Sequence, residues 1–209
     1  MQFDFEGMGQ KKAFDSGIKE DLEGQFGRPL KEILAKEFDI IINRSGKTLQ
    51  VNARGVATAA PDPQFALISN MLKELIQVVY PPQKGSSSLF AILPEAGAAV
   101  GESWQETTET ENGASTTTYT LSAATDSTIV VDFKTAASSS ATTEIMGMQA
   151  STTMKSHIAG QMIADRASGL LKEKTSNIES NGATEAMGNS MPVNAKATII
   201  IKVRRFPLY

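Results

Sequence analysis

TEIMGMQASTTMKS, residues 143–156, places a Met-Gly pair between two segments of strand-like composition. The same Glu-x-Met-Gly pattern occurs as EGMG at 6–9 and as EAMG at 185–188. Glycine has the backbone freedom that a tight turn requires, and a neighbouring methionine can fold over an apolar face. The three copies therefore predict the same hairpin bend in three pairs of strands within one sheet.

A second pair of similar segments indicates an internal duplication. DIIINRSGKTLQV (39–51) and QMIADRASGLLKEK (161–174) each combine an apolar strand, a polar turn and a second strand. The turn begins with an Asn or Asp that can bond nearby backbone, and it contains a Gly that tolerates the left-handed conformation. These positions are Asn43 and Gly46 in the first segment, and Asp165 and Gly169 in the second.

Length and composition predict one globular domain. The chain has 209 residues, of which 41% are hydrophobic and 21% charged, and this is enough to form a core. The net charge is −3, so the chain has no excess of basic residues of the kind that is typical of nucleic-acid-binding proteins. No apolar run approaches the roughly 20 residues needed to span a membrane. The absence of cysteine excludes disulfides. We predict a single domain, 1–209, with duplicated strand-hairpin units at 1–55 and 140–180.

Two segments predict helices. The first is DLEGQFGRPLKEILAK, residues 21–36, which has apolar residues on one face. The second is residues 62–79, which begins at an Asp-Pro pair suited to a helix start and is followed by two prolines.

The remainder of the chain predicts strands. STIVVDFKT (127–135) alternates apolar and polar residues, and Asn112-Gly113 marks a hairpin tip. Thr-rich segments predict a sheet with one polar face. We therefore predict an α+β fold, in which a curved, mainly antiparallel sheet, half-open like a barrel, has two helices packed on one face.

The apolar face of the 62–79 helix provides a candidate ligand site. A space between this helix and a concave sheet would suit an acyl chain or another apolar ligand. The candidate lining residues are Phe65, Ile68, Leu72, Leu75, Ile76, Val79 and Trp104. The alternative is that helix and sheet pack as a solid core, with Trp104 as an anchor.

Motifs for catalysis are weak. His157 is the only histidine, and no G-x-S-x-G elbow accompanies it. Ser16 and Lys19 match S-x-x-K, but the companion motifs of that signature are absent. The carboxylates of the Thr-rich segment are expected to be solvated: Glu106, Glu109 and Glu111. We predict no catalytic residue, no metal site and no cofactor, so that the protein is not an enzyme.

Five segments together resemble a known family. They are EGMG…FDS (6–16), FDIIINRSGKTLQV (38–51), VGESWQETTET (100–110), YTL (119–121) and IADRASGLLKEK (163–174). Their order is similar to that in an uncharacterised family, a domain of unknown function, of exported proteins and lipoproteins from Bacteroidota-type bacteria. The resemblance implies a location in the periplasm or at the outer membrane or cell surface. It also implies an export signal and earlier strands, so that residues 1–209 would be the C-terminal part of a larger family domain; no export signal occurs in this sequence.

The Asp-x-x-Ser-Gly turn at 165–169 is similar to bacterial lipoprotein-carrier folds, which hold an acyl chain between a curved sheet and helices. We predict a noncatalytic cell-envelope protein that binds an apolar or lipid-like ligand between helix 62–79 and the concave sheet. One alternative is a structural or interaction module at the cell surface, which contacts an envelope protein through its Thr-rich face or an edge strand and binds no small molecule. The other alternative is a hydrolase.

Overall fold

The described part of the chain contains ten strands and one short helix, joined by turns and connections. The computed structural model describes residues 2–7, 10–24, 27, 37–43, 46–54, 84–85, 88, 90–145, 148–186 and 188–203. The elements are β1 (Gln2–Gly7), β2 (Gln10–Asp15), α1 (Lys19–Glu23), β3 (Glu37–Ile42), β4 (Thr48–Arg54), β5 (Ser103–Thr110), β6 (Gly113–Ala124), β7 (Thr128–Ile145), β8 (Met148–Asp165), β9 (Leu171–Ala186) and β10 (Asn189–Lys202).

Eight of the strands form one antiparallel sheet. Their order is β2-β1-β10-β9-β8-β7-β6-β5, whereas β3 and β4 form a separate hairpin. From β5 to β10 each strand pairs with its successor in the chain, and β1 then pairs with β10, with Phe3 opposite Ala197. The sheet is open, because no pairing among the described residues joins its edge strands β2 and β5.

Each Glu-x-Met-Gly segment coincides with a reversal between two antiparallel strands of this sheet. The innermost paired residues are Gly7 and Gln10 in β1–β2, Ile145 and Met148 in β7–β8, and Ala186 and Asn189 in β9–β10. Gly188, which follows the third methionine, has a φ of +74°. The strand pairing therefore confirms the prediction of three hairpins in one sheet, and its register places all three reversals at the same end.

The predicted Asn112-Gly113 hairpin is present, but its register differs by one residue. Thr110 pairs with Gly113, so the two turn residues are Glu111 and Asn112 and the glycine begins β6. A Cβ at Gly113 would meet the carbonyl oxygen of Ser138 on β7. Glycine is thus required here for the close approach of two strands.

The two predicted polar turns are similar, although the second is one residue longer. The N–H of Gly46 donates to the carbonyl of Asn43 at 3.0 Å, and the N–H of Gly169 donates to that of Asp165 at 2.8 Å. Both glycines have positive φ, +78° and +68°. The Asn43 side chain accepts a backbone N–H four residues on, and the Asp165 side chain accepts one three residues on. The turn prediction is confirmed, while duplication of whole units stays a prediction.

Asp165 makes its turn sensitive to pH. The Ser168 hydroxyl and backbone N–H donate to its carboxylate, which also lies 3.2 Å from the Lys172 amine. These groups, the Ser168 hydroxyl foremost, hold the pKa of Asp165 at about 2, below its usual 3.8. Because the folded-state pKa is the lower one, the stabilisation is present above the unfolded pKa and is lost as the pH falls towards the folded value.

We expect Asp165→Asn to remove this pH-dependent component. The difference in free energy of unfolding between wild type and variant should shrink as the pH falls from about 5 to about 2. Urea denaturation at a series of pH values measures it. Asp126→Asn is the matched control, since Asp126 is exposed in the neighbouring β6–β7 connection, and it should leave the wild-type pH profile unchanged. If the difference in free energy of unfolding between wild type and Asp165→Asn were the same at every pH, the low pKa of Asp165 would be contradicted.

The prediction of an α+β fold with two helices packed on one face is wrong. The described part of the chain is mostly antiparallel β-sheet, and no helix in it reaches seven residues. α1 buries none of its side chains, so it offers no apolar face to the sheet. It ends at once because Gly24 adopts an extended conformation, with φ −72° and ψ 174°.

The other helical predictions fall outside the described residues. This applies to 62–79 in full and to 28–36 of the first predicted helix. No helix in the described ranges is both long enough and apolar enough to span a membrane.

The core lies on one face of the sheet, at the end opposite the three Met-Gly reversals. Its buried members are Ile92, Leu121, Val131, Phe133, Met162, Ala164 and Leu171. Ile92 belongs to the connection before β5, where Phe90 and Leu93 also pack against the core. This connection therefore covers part of the inner side of the sheet with apolar side chains.

Candidate functional site

The eight-stranded sheet has two different faces. Side chains alternate along a strand, and on β7 buried Val131 and Phe133 flank exposed Asp132. We call the face of Val131 the inner face and the face of Asp132 the outer face. Cross-strand register extends the assignment, since Val131 lies opposite Leu121 and Met162. The sheet is apolar on one side and polar on the other, as the sequence predicts.

Three aromatic rings lie in one row across the inner face. Trp104 of β5 is opposite Tyr119 of β6, which is opposite Phe133 of β7. Trp104 and Tyr119 stack with their ring centroids 5.5 Å apart, and the centroids of Tyr119 and Phe133 are 6.4 Å apart. Phe133 is buried, whereas Trp104 and Tyr119 are half-buried. This aromatic row runs from the edge strand into the core.

Gly160 allows the row to continue across β8. It lies opposite Phe133, and a Cβ built there would be 2.8 Å from the Phe133 ring and would also meet the carbonyl oxygen of Thr175. Since Gly160 has no side chain, the Phe133 ring extends across β8 towards β9. There the Nζ of Lys174 lies 4.8 Å from the centroid of the Phe133 ring. This distance is within the range of a cation–π interaction.

Lys174 places a cation on the inner face. Its cross-strand neighbours are apolar, Met162 on β8 and Ile201 on β10. Burial lowers the pKa of Lys174. Among the described residues no carboxylate forms a salt bridge with its amine. Glu106, the other charged inner-face residue described on β5–β10, lies four strands away on the edge.

Tyr119 holds its proton firmly. Its hydroxyl lies 3.5 Å from the Oε2 of Glu106. Burial, together with the nearby Glu106 carboxylate, raises the pKa of Tyr119 to about 12. The phenol is therefore neutral near pH 7, and it serves as a polar tip on an apolar ring rather than as a base.

Towards the hairpin reversals, the inner face carries hydroxyl side chains that bond one another, with Met154 between them. The Ser156 and Ser180 oxygens are 2.7 Å apart, and those of Thr152 and Thr184 are 2.9 Å apart, in both cases across β8 and β9. Each of these hydroxyls therefore has a hydrogen-bond partner within the sheet. This part of the inner face presents paired hydroxyls rather than charges to an apolar neighbour.

The outer face is polar. An open groove of about 590 Å³ lies beside α1, and within it Lys196 and Glu179 form a salt bridge of 2.8 Å. A second open groove, of about 530 Å³, spans β6–β9 near the reversals and includes Ser138. In the described ranges, no group of three or more possible metal ligands comes together.

The residues that matched catalytic patterns lie on different elements, with His157 on β8, Ser16 in a turn and Lys19 in α1. His157 is exposed on the outer face, opposite Ala136 and Glu179. Ser16 lies in the turn before α1, and the amine of Lys19 is 3.8 Å from Glu23 at an exposed position.

The three carboxylates of the Thr-rich segment are exposed, as predicted. Glu106 and Glu109 are three residues apart on β5, so they lie on opposite faces of the sheet. Glu111 is in the following turn. They form no pair with a shared substrate position.

Trp104 is the one predicted ligand residue that the structure describes, and it belongs to the aromatic row. The other six, Phe65, Ile68, Leu72, Leu75, Ile76 and Val79, lie outside the described residues. Sequence reasoning missed Tyr119, Phe133 and Lys174 as its neighbours. The alternation in STIVVDFKT places Phe133 on an apolar face, but the register that aligns it with Trp104 has no local sequence signature.

Comparison with known proteins gives one family match. Residues 83–171 match the model of a family described as Family of unknown function (DUF6263). The matched range contains the aromatic row and ends before Lys174, and it supports the expectation of an uncharacterised domain. No curated protein and no solved structure matches the chain.

Proposed function

We propose that this chain is a noncatalytic cell-envelope protein that binds an apolar, lipid-like ligand on the inner face of the eight-stranded sheet. The aromatic row carries the proposal. Trp104 and Tyr119 are stacked but only half-buried, so they leave apolar ring surface that a ligand can cover. Tryptophan and tyrosine are favoured at such positions because each combines a large apolar body with a polar tip.

The hydroxyl pairs beside the row support the same function. Ser156 with Ser180 and Thr152 with Thr184 satisfy one another across the strands. An apolar neighbour costs little at this point, because Ser156, Ser180 and Thr184 are already buried and each has a hydrogen-bond partner. The envelope location is proposed on the sequence resemblance.

Native mass spectrometry of the gently purified protein tests the proposal, together with lipid analysis of its organic extract. We expect a stoichiometric apolar ligand, or uptake of one when the protein is incubated with fatty acids or phospholipids. An unliganded mass that neither addition changes would contradict ligand binding.

A matched pair of variants locates the ligand. Trp104→Ala should reduce ligand occupancy several-fold, because it removes the exposed end of the aromatic row. Gln105→Ala changes the next residue of β5, whose side chain is exposed on the outer face, and it should keep wild-type occupancy. An equal loss of ligand occupancy in both variants would mean that the ligand does not bind at the aromatic row.

A second function is favoured by the edge strand β5, in which every residue except Trp104 is exposed. Within the described residues, one side of β5 has no strand partner, and an open edge can pair with a strand of another protein. An unliganded protein that binds an envelope protein through β5 would favour this interaction module.

A further inference from the structure

A single unpaired cation on an apolar surface is costly to retain. Removing a lysine amine from water costs free energy unless an anion compensates. In the described structure, the amine of Lys174 contacts the ring of Phe133 but has no carboxylate partner, and its ladder neighbours are Met162 and Ile201. A methionine or leucine would fill such a position at lower cost, so the charge itself calls for a role.

The position of this cation defines one end of the aromatic row. The row begins at Trp104 on the edge strand and passes through Tyr119 to Phe133, above which the amine lies. From β5 to β9 the sheet spans roughly 19 Å at about 4.8 Å per strand, which is the scale of a long acyl chain.

The charges at the two ends differ in sign. Glu106 places a carboxylate beside Tyr119 near the edge strand, and Lys174 places an ammonium at the far end. An amphiphile with an anionic head is repelled at the first end and attracted at the second. Charge complementarity therefore selects both the sign of the head group and its direction along the row.

We propose that Lys174 binds the carboxylate of a long-chain fatty acid whose hydrocarbon chain lies along the aromatic row. The inference rests on the proposed function, since it assigns a ligand class and an orientation to the same inner face. Lys174 lies beyond the range matched by the family model.

Fluorescence of Trp104 provides a local readout, because it is the only tryptophan in the chain and it lies in the row. The full-length protein is titrated with hexadecanoate and with hexadecanol, which differ only in the head group. We expect wild type to bind the acid at least about tenfold more tightly than the alcohol. Lys174→Met should abolish that preference while leaving the affinity for the alcohol unchanged. Lys134→Met, at an exposed outer-face position of β7, should behave as wild type.

The outcomes separate the two proposals. Equal binding of acid and alcohol by the wild type would overturn the role of Lys174 and leave apolar ligand binding in place. A folded Lys174→Met variant that keeps the preference would do the same. Failure of wild type to bind either compound would overturn the fatty-acid assignment, whereas the mass-spectrometric test alone decides whether any apolar ligand binds. The acid–alcohol comparison in wild type needs no variant, so it remains decisive if Lys174→Met does not fold.

Discussion

Replacing Leu171 with alanine is expected to lower the free energy of unfolding by about 2–5 kcal/mol. Leu171 is 1% exposed and packs in the core with Val131 and Met162. Truncation removes buried apolar surface and leaves a cavity that the paired strands cannot readily close, because β9 is held by ladders on both sides. Urea denaturation followed by circular dichroism measures the change.

Ile200→Ala is the matched control for this prediction. Ile200 is 53% exposed on the outer face of β10, so its truncation should change the free energy of unfolding by no more than about 0.5 kcal/mol. Losses of similar size in the two variants would mean that the inner and outer faces do not differ in packing as described.

Gly160→Ala should destabilise the protein by about 1–3 kcal/mol through overpacking. The new methyl group would meet the Phe133 ring on one side and the Thr175 carbonyl oxygen on the other. The ring can move only by leaving its place over β8, and the carbonyl belongs to the backbone of β9. The same urea titration applies, and a changed Trp104 emission would show that the aromatic row has shifted.

Ala159→Ser controls for substitution at this point of β8. Ala159 is the preceding residue and is exposed on the outer face, so its replacement should leave stability and emission close to wild type. If Gly160→Ala were as stable as wild type, the close contact between Phe133 and β8 would be refuted.

The features that could be predicted from the sequence are those fixed by a few adjacent residues. The Met-Gly reversals and the turns at Asn43 and Asp165 follow from the backbone freedom of glycine and from side chains that bond nearby backbone. The short helix α1 ends at Gly24, whereas the apolar spacing that predicted the first helix lies in 28–36, outside the described residues.

The candidate site could be predicted only at Trp104. Its neighbours come from three other strands, and the contacts depend on register between strands: Tyr119 faces Trp104, and Phe133 reaches Lys174 across Gly160. Periodicity shows which face a side chain occupies, but it does not show which side chains meet across the sheet. Within KEK, residues 172–174, nothing distinguishes the inner-face lysine from the two charged residues before it.

The ladder between β1 and β10 also has a kinetic consequence. From β5 to β10 every ladder joins neighbours in the chain, so each can form by closing a short connection. The β1–β10 ladder instead joins opposite ends of the sequence, with Phe3 opposite Ala197, and closing so long a loop costs more conformational entropy. Contacts between distant residues slow folding, so the meander can assemble first and the β1–β2 hairpin can dock only after β10 is in place. The β1–β2 hairpin therefore depends for its place in the sheet on β10, which follows it far along the chain.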